Sequence, residues 1–170
     1  MNSESARVTT ASELRFRIND PNARPRSIKV IALDEPSERV VQRLAGEQWN
    51  QASFLTASTF GSALRSDQTF SMKGWLNDLA GRTKDLVDEI DGADLVVMIA
   101  RAGEDAPAAS IIGEACSLRR ITTTALIMGS AAVSDEAVSR TLAQLRPWAL
   151  MLVIANNDEY IDDMLVALRA

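Results

Sequence analysis

Apolar residues in this 170-residue chain follow two alternating patterns. Continuous apolar or β-branched runs at 28–33, 95–100, 121–128 and 149–154 have the length of strands. The unbroken apolar character of 95–100 is expected of a strand covered on both faces. Residues 52–56 form a shorter strand candidate. Between the runs, apolar residues recur every three or four positions. Val40, Val41 and Leu44 mark a helix over 36–45, and Leu86, Val87 and Ile90 mark one over 83–90. Further helices are predicted at 107–118, 134–145 and 157–168. Residues 57–76, with Gly61, Gly74 and Trp75, fit neither period. The alternation predicts a three-layer, Rossmann-like α/β domain over 27–170. Its sheet is expected to be mostly parallel, with right-handed crossovers and helices on both faces.

Residues 1–26 stand apart. They are polar, carry Arg7, Arg15, Arg17, Arg24 and Arg26, and are broken by Pro21 and Pro25. A flexible N-terminal tail is expected there, with a basic arm for an acidic partner as the sharper reading.

Composition narrows the chemistry. Hydrophobic residues make up 46% of the chain, enough to build one sizeable core. The net charge of −5 argues against general nucleic-acid binding. Histidine is absent, which removes the commonest general base and every imidazole metal ligand. The lone cysteine, Cys116, forms no internal disulfide and reads as a buried thiol on a helix. No apolar run approaches the ~18 residues of a membrane span, and the polar N-terminus does not resemble a signal peptide. A cytoplasmic protein with no membrane contact is expected.

Candidate chemistry lies where strands pass into helices, because ligands of open α/β sheets sit there. Two such loops share one pattern of acids, then proline, then helix: Asp34-Glu35-Pro36-Ser37 and Gly103-Glu104-Asp105-Ala106-Pro107. Proline suits a first helical turn. The acids then lie beside the positive helix end as caps or dipole partners, in the place a phosphate would take. The alternative is that the four acids converge to bind a cation or a basic partner. Together with Gly129 and Asn157, at two further strand ends, these residues outline a candidate ligand or partner crevice. It comprises Asp34, Glu35, Ser37, Gly103, Glu104, Asp105, Gly129 and Asn157. No catalytic constellation and no metal-ligand spacing is apparent.

Several segments carry a family resemblance. Ser27-Ile28-Lys29-Val30-Ile31 with Val40-Val41-Gln42-Arg43-Leu44 is one, and Gly92-Ala93-Asp94-Leu95-Val96-Val97 is another. Ala108-Ala109-Ser110-Ile111-Ile112-Gly113-Glu114-Ala115, Ile121-Thr122-Thr123-Thr124-Ala125-Leu126-Ile127 and Leu150-Met151-Leu152-Val153-Ile154-Ala155-Asn156-Asn157-Asp158 follow in the same order. Collinearly from about residue 27, they resemble the nucleotide-binding domain of FtsZ, the bacterial tubulin-like GTPase. Where that family has glycine-rich loops, this chain has Ala32-Leu33-Asp34-Glu35-Pro36-Ser37-Glu38 and the shorter Ala102-Gly103-Glu104-Asp105-Ala106-Pro107. Glycines let the backbone approach phosphate oxygens closely, often at positive φ. A carboxylate ~4 Å from a phosphate charge costs on the order of 4 kcal/mol at an effective dielectric near 20. A few such contacts would erase micromolar affinity, worth about 8 kcal/mol. The residues given also end before the family's second domain and catalytic loop. The resemblance therefore implies a degenerate nucleotide site, no GTP cofactor and no GTP-driven polymer.

Three functions follow. The first is a non-catalytic domain acting through a protein partner or self-association. The second is a small-molecule-binding or enzymatic Rossmann-like domain using the strand-end crevice. The third is a divergent GTP-binding protein.

Overall fold

A computed structural model describes residues 25–59 and 76–170. Gly61, Gly74, Trp75 and the tail up to residue 24 lie outside the described residues. Seven strands form one sheet: β1 Ile28–Ala32, β2 Ala52–Thr56, β3 Leu76–Asp78, β4 Thr83–Lys84, β5 Leu95–Arg101, β6 Thr122–Met128 and β7 Met151–Ala155. Five helices connect or flank them: α1 Glu35–Ala45, α2 Leu86–Asp91, α3 Ala108–Leu118, α4 Asp135–Leu145 and α5 Tyr160–Ala167. A 3-10 turn, Ser130–Ala132, precedes α4.

The strand order is β4-β3-β2-β1-β5-β6-β7. The five long strands run parallel, and β3 and β4 add an antiparallel edge. The Rossmann-like, mostly parallel sheet expected from the sequence is present. Alternate side chains along β1 divide the core. Ile31 packs with β5, α2, α3 and α4 on one face, while Ile28, Val30 and Ala32 pack with α1 and α5 on the other. Val96 to Ala100 of β5 are buried completely, as a strand covered on both faces requires.

One segment departs from the period-based reading. Residues 83–90 do not form a single helix: Thr83–Lys84 pair with β3, and the helix starts only at Leu86. Asp85 causes the break, since its side chain accepts the Val87 N–H at 2.9 Å and caps α2 from extended backbone.

Candidate functional site at the carboxyl edge

β1 lies between β2 and β5 with all three parallel, so the chain leaves β1 on one side and returns on the other. Ligands of open α/β sheets enter at such a reversal, over the carboxyl ends of the strands. Here only Leu33 and Asp34 separate β1 from α1. Asp34 is buried and caps α1: one carboxylate oxygen, Oδ1, accepts the Ser37 N–H at 2.8 Å. The other, Oδ2, accepts the Arg101 N–H at the end of β5 at 2.7 Å. A helix N-terminus offers unpaired N–H groups to an anion. In this protein the anion is its own side chain, and it also ties α1 to β5.

The neighbouring acid is committed too. Glu38 Oε2 accepts the hydroxyls of Ser58 at 2.8 Å and Thr56 at 3.3 Å. Glu35 is exposed. Ser37 is fully buried, and its Oγ has no hydrogen-bond partner among the described residues.

The loop after β5 is turned toward α4. Gly103, at φ +91°, donates its N–H to Thr141 Oγ1 at 3.0 Å. Thr141 in turn donates to the Glu104 carbonyl at 2.9 Å. Ala106 donates its N–H to Gln144 Oε1 at 2.6 Å, and Gln144 donates to Asp105 Oδ1 at 3.2 Å. The Glu104 N–H turns back to the Arg101 carbonyl at 3.1 Å. The Gly103, Glu104 and Ala106 amides are therefore bonded within the protein and not offered to an oxyanion. The expectation that Glu104 or Asp105 caps the next helix fails: Pro107 occupies the cap of α3, with no side-chain cap bond. The short loop is instead stapled to α4, with the Asp105 carboxylate taken by Gln144.

At the far end of the edge, Gly129 adopts φ +72° beneath the Arg101 side chain. A β-carbon there would lie 2.9 Å from Arg101 Nε, so glycine leaves room for the guanidinium. Arg101 reaches Asp158 at 3.3 Å. Ser130 donates to Asn156 at 2.7 Å, and Asn157 is exposed. The four acids do not converge, and among the described residues no group of three or more acidic or cysteine side chains is placed to share a metal ion.

Arg101, Thr141 and Gln144 were not among the residues singled out in the sequence. A charge ending an apolar strand, and two polar residues three apart on a helix, are the signals that could have marked them. Other polar, charged and aromatic residues have structural roles. Asp91 pairs with Arg119, Asp162 pairs with Arg43 of α1, and Ser134 caps α4. Trp49 donates to the Leu44 carbonyl, and Trp148 packs on the core against Gly113. Cys116 is fully buried, and burial pushes its thiol up to about 11.

No family model matches the chain, and no curated protein does. Among solved structures, it is similar to the translation elongation factor SelB from Methanococcus maripaludis in complex with the GTP analogue GppNHp. The TM-score is 0.51 at 9% identity, covering 85% of this chain and 33% of that one. The apo form of the same factor is similar at a TM-score of 0.44 and 11% identity, covering 85% and 36%. The chain thus spans about a third of the length of these factors, and the likeness is one of fold. FtsZ and tubulin are not among the similar structures, so the FtsZ resemblance does not stand. Its matching segments were framework strands and helices. Burial on both faces imposes the same apolar runs on any parallel sheet, so they carry little information about descent. No helix among the described residues is long and apolar enough to cross a membrane.

Proposed function

We propose that this is a nucleotide-fold domain that works without bound nucleotide, by association with protein. The observation that carries this reading is the double engagement of Asp34. Its carboxylate fills the helix N-terminus where a phosphate would sit, and it holds the Ser37 and Arg101 amides. A phosphate approaching the same point would meet a buried negative charge and no free donor from that pair. The loop after β5 adds the exposed acids Glu104 and Asp105 and spends its Gly103 and Ala106 amides on α4. Fold alone does not decide function, and these side chains oppose the chemistry that the fold elsewhere supports.

A divergent GTP-binding domain is the second reading. It is favoured by the likeness to SelB, which was solved with a GTP analogue, and by the unpartnered Ser37 hydroxyl in the first turn of α1. Thermal unfolding with GTP, GDP and NAD, each with and without magnesium, separates the two. A ligand at a hundred times its dissociation constant adds about 2.7 kcal/mol. The proposal expects no shift with any nucleotide. A magnesium-dependent rise with GTP would replace it with the second reading.

A further inference from the structure

The two edges of the sheet differ. β4 is two residues long and carries Lys84, as blunted edges of monomeric proteins do. β7, Met-Leu-Val-Ile-Ala, has no charge, no proline and no glycine, and the uncharged stretch runs from Pro147 to Asn157. Among the described strands, β7 pairs with β6 alone. In the β6–β7 register Met151 lies opposite Thr124 and Val153 opposite Leu126, and the even-numbered carbonyls of β6 face β5. Met151 and Val153 therefore turn their main-chain groups to β6, and backbone alternation turns the N–H and C=O groups of Leu152 and the Ile154 N–H away from the sheet. Beside them Leu150 is 82% exposed, Ile154 45% and Met151 40%. Natural edges with this character are covered.

We infer that β7 pairs antiparallel with β7 of a second copy of this chain, about a twofold axis at Leu152. This rests on the proposed function in taking association with protein as the role of the domain. The occupant follows from the pattern. Unmet main-chain groups call for a strand, and a twofold at Leu152 makes the edge its own complement. Leu152 of each copy exchanges both main-chain bonds with its own equivalent, and the Ile154 N–H of each copy reaches the Leu150 carbonyl of the other, four bonds in all. On the face of α3 and α4, Leu150 meets Ile154 of the second copy, Leu152 meets its own equivalent, and Ile154 meets Leu150. Each exposed apolar residue of the edge is thereby covered by another. Charge points the same way: two copies each carrying −5 meet along a segment that carries none. Leu150, Met151 and Ile154, with the backbone and flanking helices, contribute to the ~1,000 Å² a specific interface needs.

Sedimentation velocity on the full chain from about 1 to 200 μM tests the inference. The expected result is a reversible monomer–dimer equilibrium. Ile154→Lys enters the interface twice by symmetry and is expected to weaken it at least ~100-fold. Leu118→Lys, at a residue 77% exposed on the end of α3, is expected to leave it unchanged. Circular dichroism establishes that both variants fold. Should Ile154→Lys not fold, a chain with Leu150→Cys and Ile154→Cys reads the register directly. The paired positions would sit within disulfide reach across the twofold and out of reach within one copy. Mild oxidation is expected to give a covalent dimer. A wild-type monomer throughout the range would overturn self-pairing and leave the edge to a foreign strand. So would a dimer indifferent to Ile154→Lys, or no cross-link. A nucleotide titration of the same sample is read separately, because GTP binding would overturn the proposed function while leaving the dimer standing.

Discussion

Replacing Asp34 by alanine removes two bonds at one stroke, and the loss can be worked out bond by bond. The Ser37 N–H loses its cap, which is worth about 1 kcal/mol at a helix start. The Arg101 N–H is left without an acceptor, and a buried unsatisfied donor costs about 1–3 kcal/mol. Together Asp34→Ala should destabilise the fold by about 3 kcal/mol. At a urea slope near 2 kcal/mol per molar, the midpoint should fall by about 1.5 M. Two further variants apportion the loss. Asp34→Ser can still cap α1 through Ser37 but is too short to hold Arg101 as well, so it should recover about 1 kcal/mol. Asp34→Asn keeps one carbonyl oxygen but turns an N–H toward one of the two donors, and should also fall in between. Urea unfolding followed by circular dichroism measures all three. A loss under about 1 kcal/mol for Asp34→Ala would refute the reasoning. So would a serine variant as damaged as the alanine one, because the cap would then contribute nothing.

Other expectations follow from the same geometry. Gly113→Ala should destabilise by about 1–3 kcal/mol although alanine is the better helix former, because the new β-carbon meets Trp148. Tryptophan fluorescence and urea unfolding report it, and a stabilised variant would contradict the packing. Thr141→Val removes the hydroxyl that joins Gly103 to Glu104 and should cost about 1–2 kcal/mol, with faster hydrogen exchange confined to residues 102–107. Unchanged exchange there would separate the loop from α4. Cys116, held up to about 11, should resist thiol reagents at pH 8 until the protein unfolds, and rapid labelling of the native protein would show an open site. The shift is upward, so the stability it contributes is full below the ordinary thiol value of about 8.5 and is lost as pH rises through about 11. Urea midpoints measured between pH 8 and 11 should therefore decline.

The fold was legible because each buried strand needs apolar side chains on both faces. The run Leu95-Val96-Val97-Met98-Ile99-Ala100 could hardly be anything but a central strand, and it is β5. The helical stripe Val40, Val41, Leu44 likewise faces the core. The β3–β4 hairpin was not legible, since two- and three-residue strands leave no period and pairing across the sheet decides them. Of the candidate crevice, the cap at Asp34 could be expected from acid-then-proline spacing. Its second bond, to Arg101, joins residues 67 apart in sequence and depends on β1 and β5 being neighbours. The same holds for Thr141 and Gln144, which reach the β5 loop from a helix about 38 positions away. The family resemblance failed for a related reason, since the segments that matched are those that packing constrains in every parallel sheet.

The central claim is that the Ser37, Arg101 and Gly103 amides of the carboxyl edge are already held by the protein itself. Backbone amide NMR during titration with magnesium and GTP to about 5 mM tests it most directly. Ser37, Arg101 and Gly103 are the reporters, because their N–H groups hold Asp34 and Thr141. The account predicts that none of the three moves beyond the drift caused by added salt. A saturable, magnesium-dependent shift of these amides would mean that Asp34 gives way to phosphate, and would contradict it.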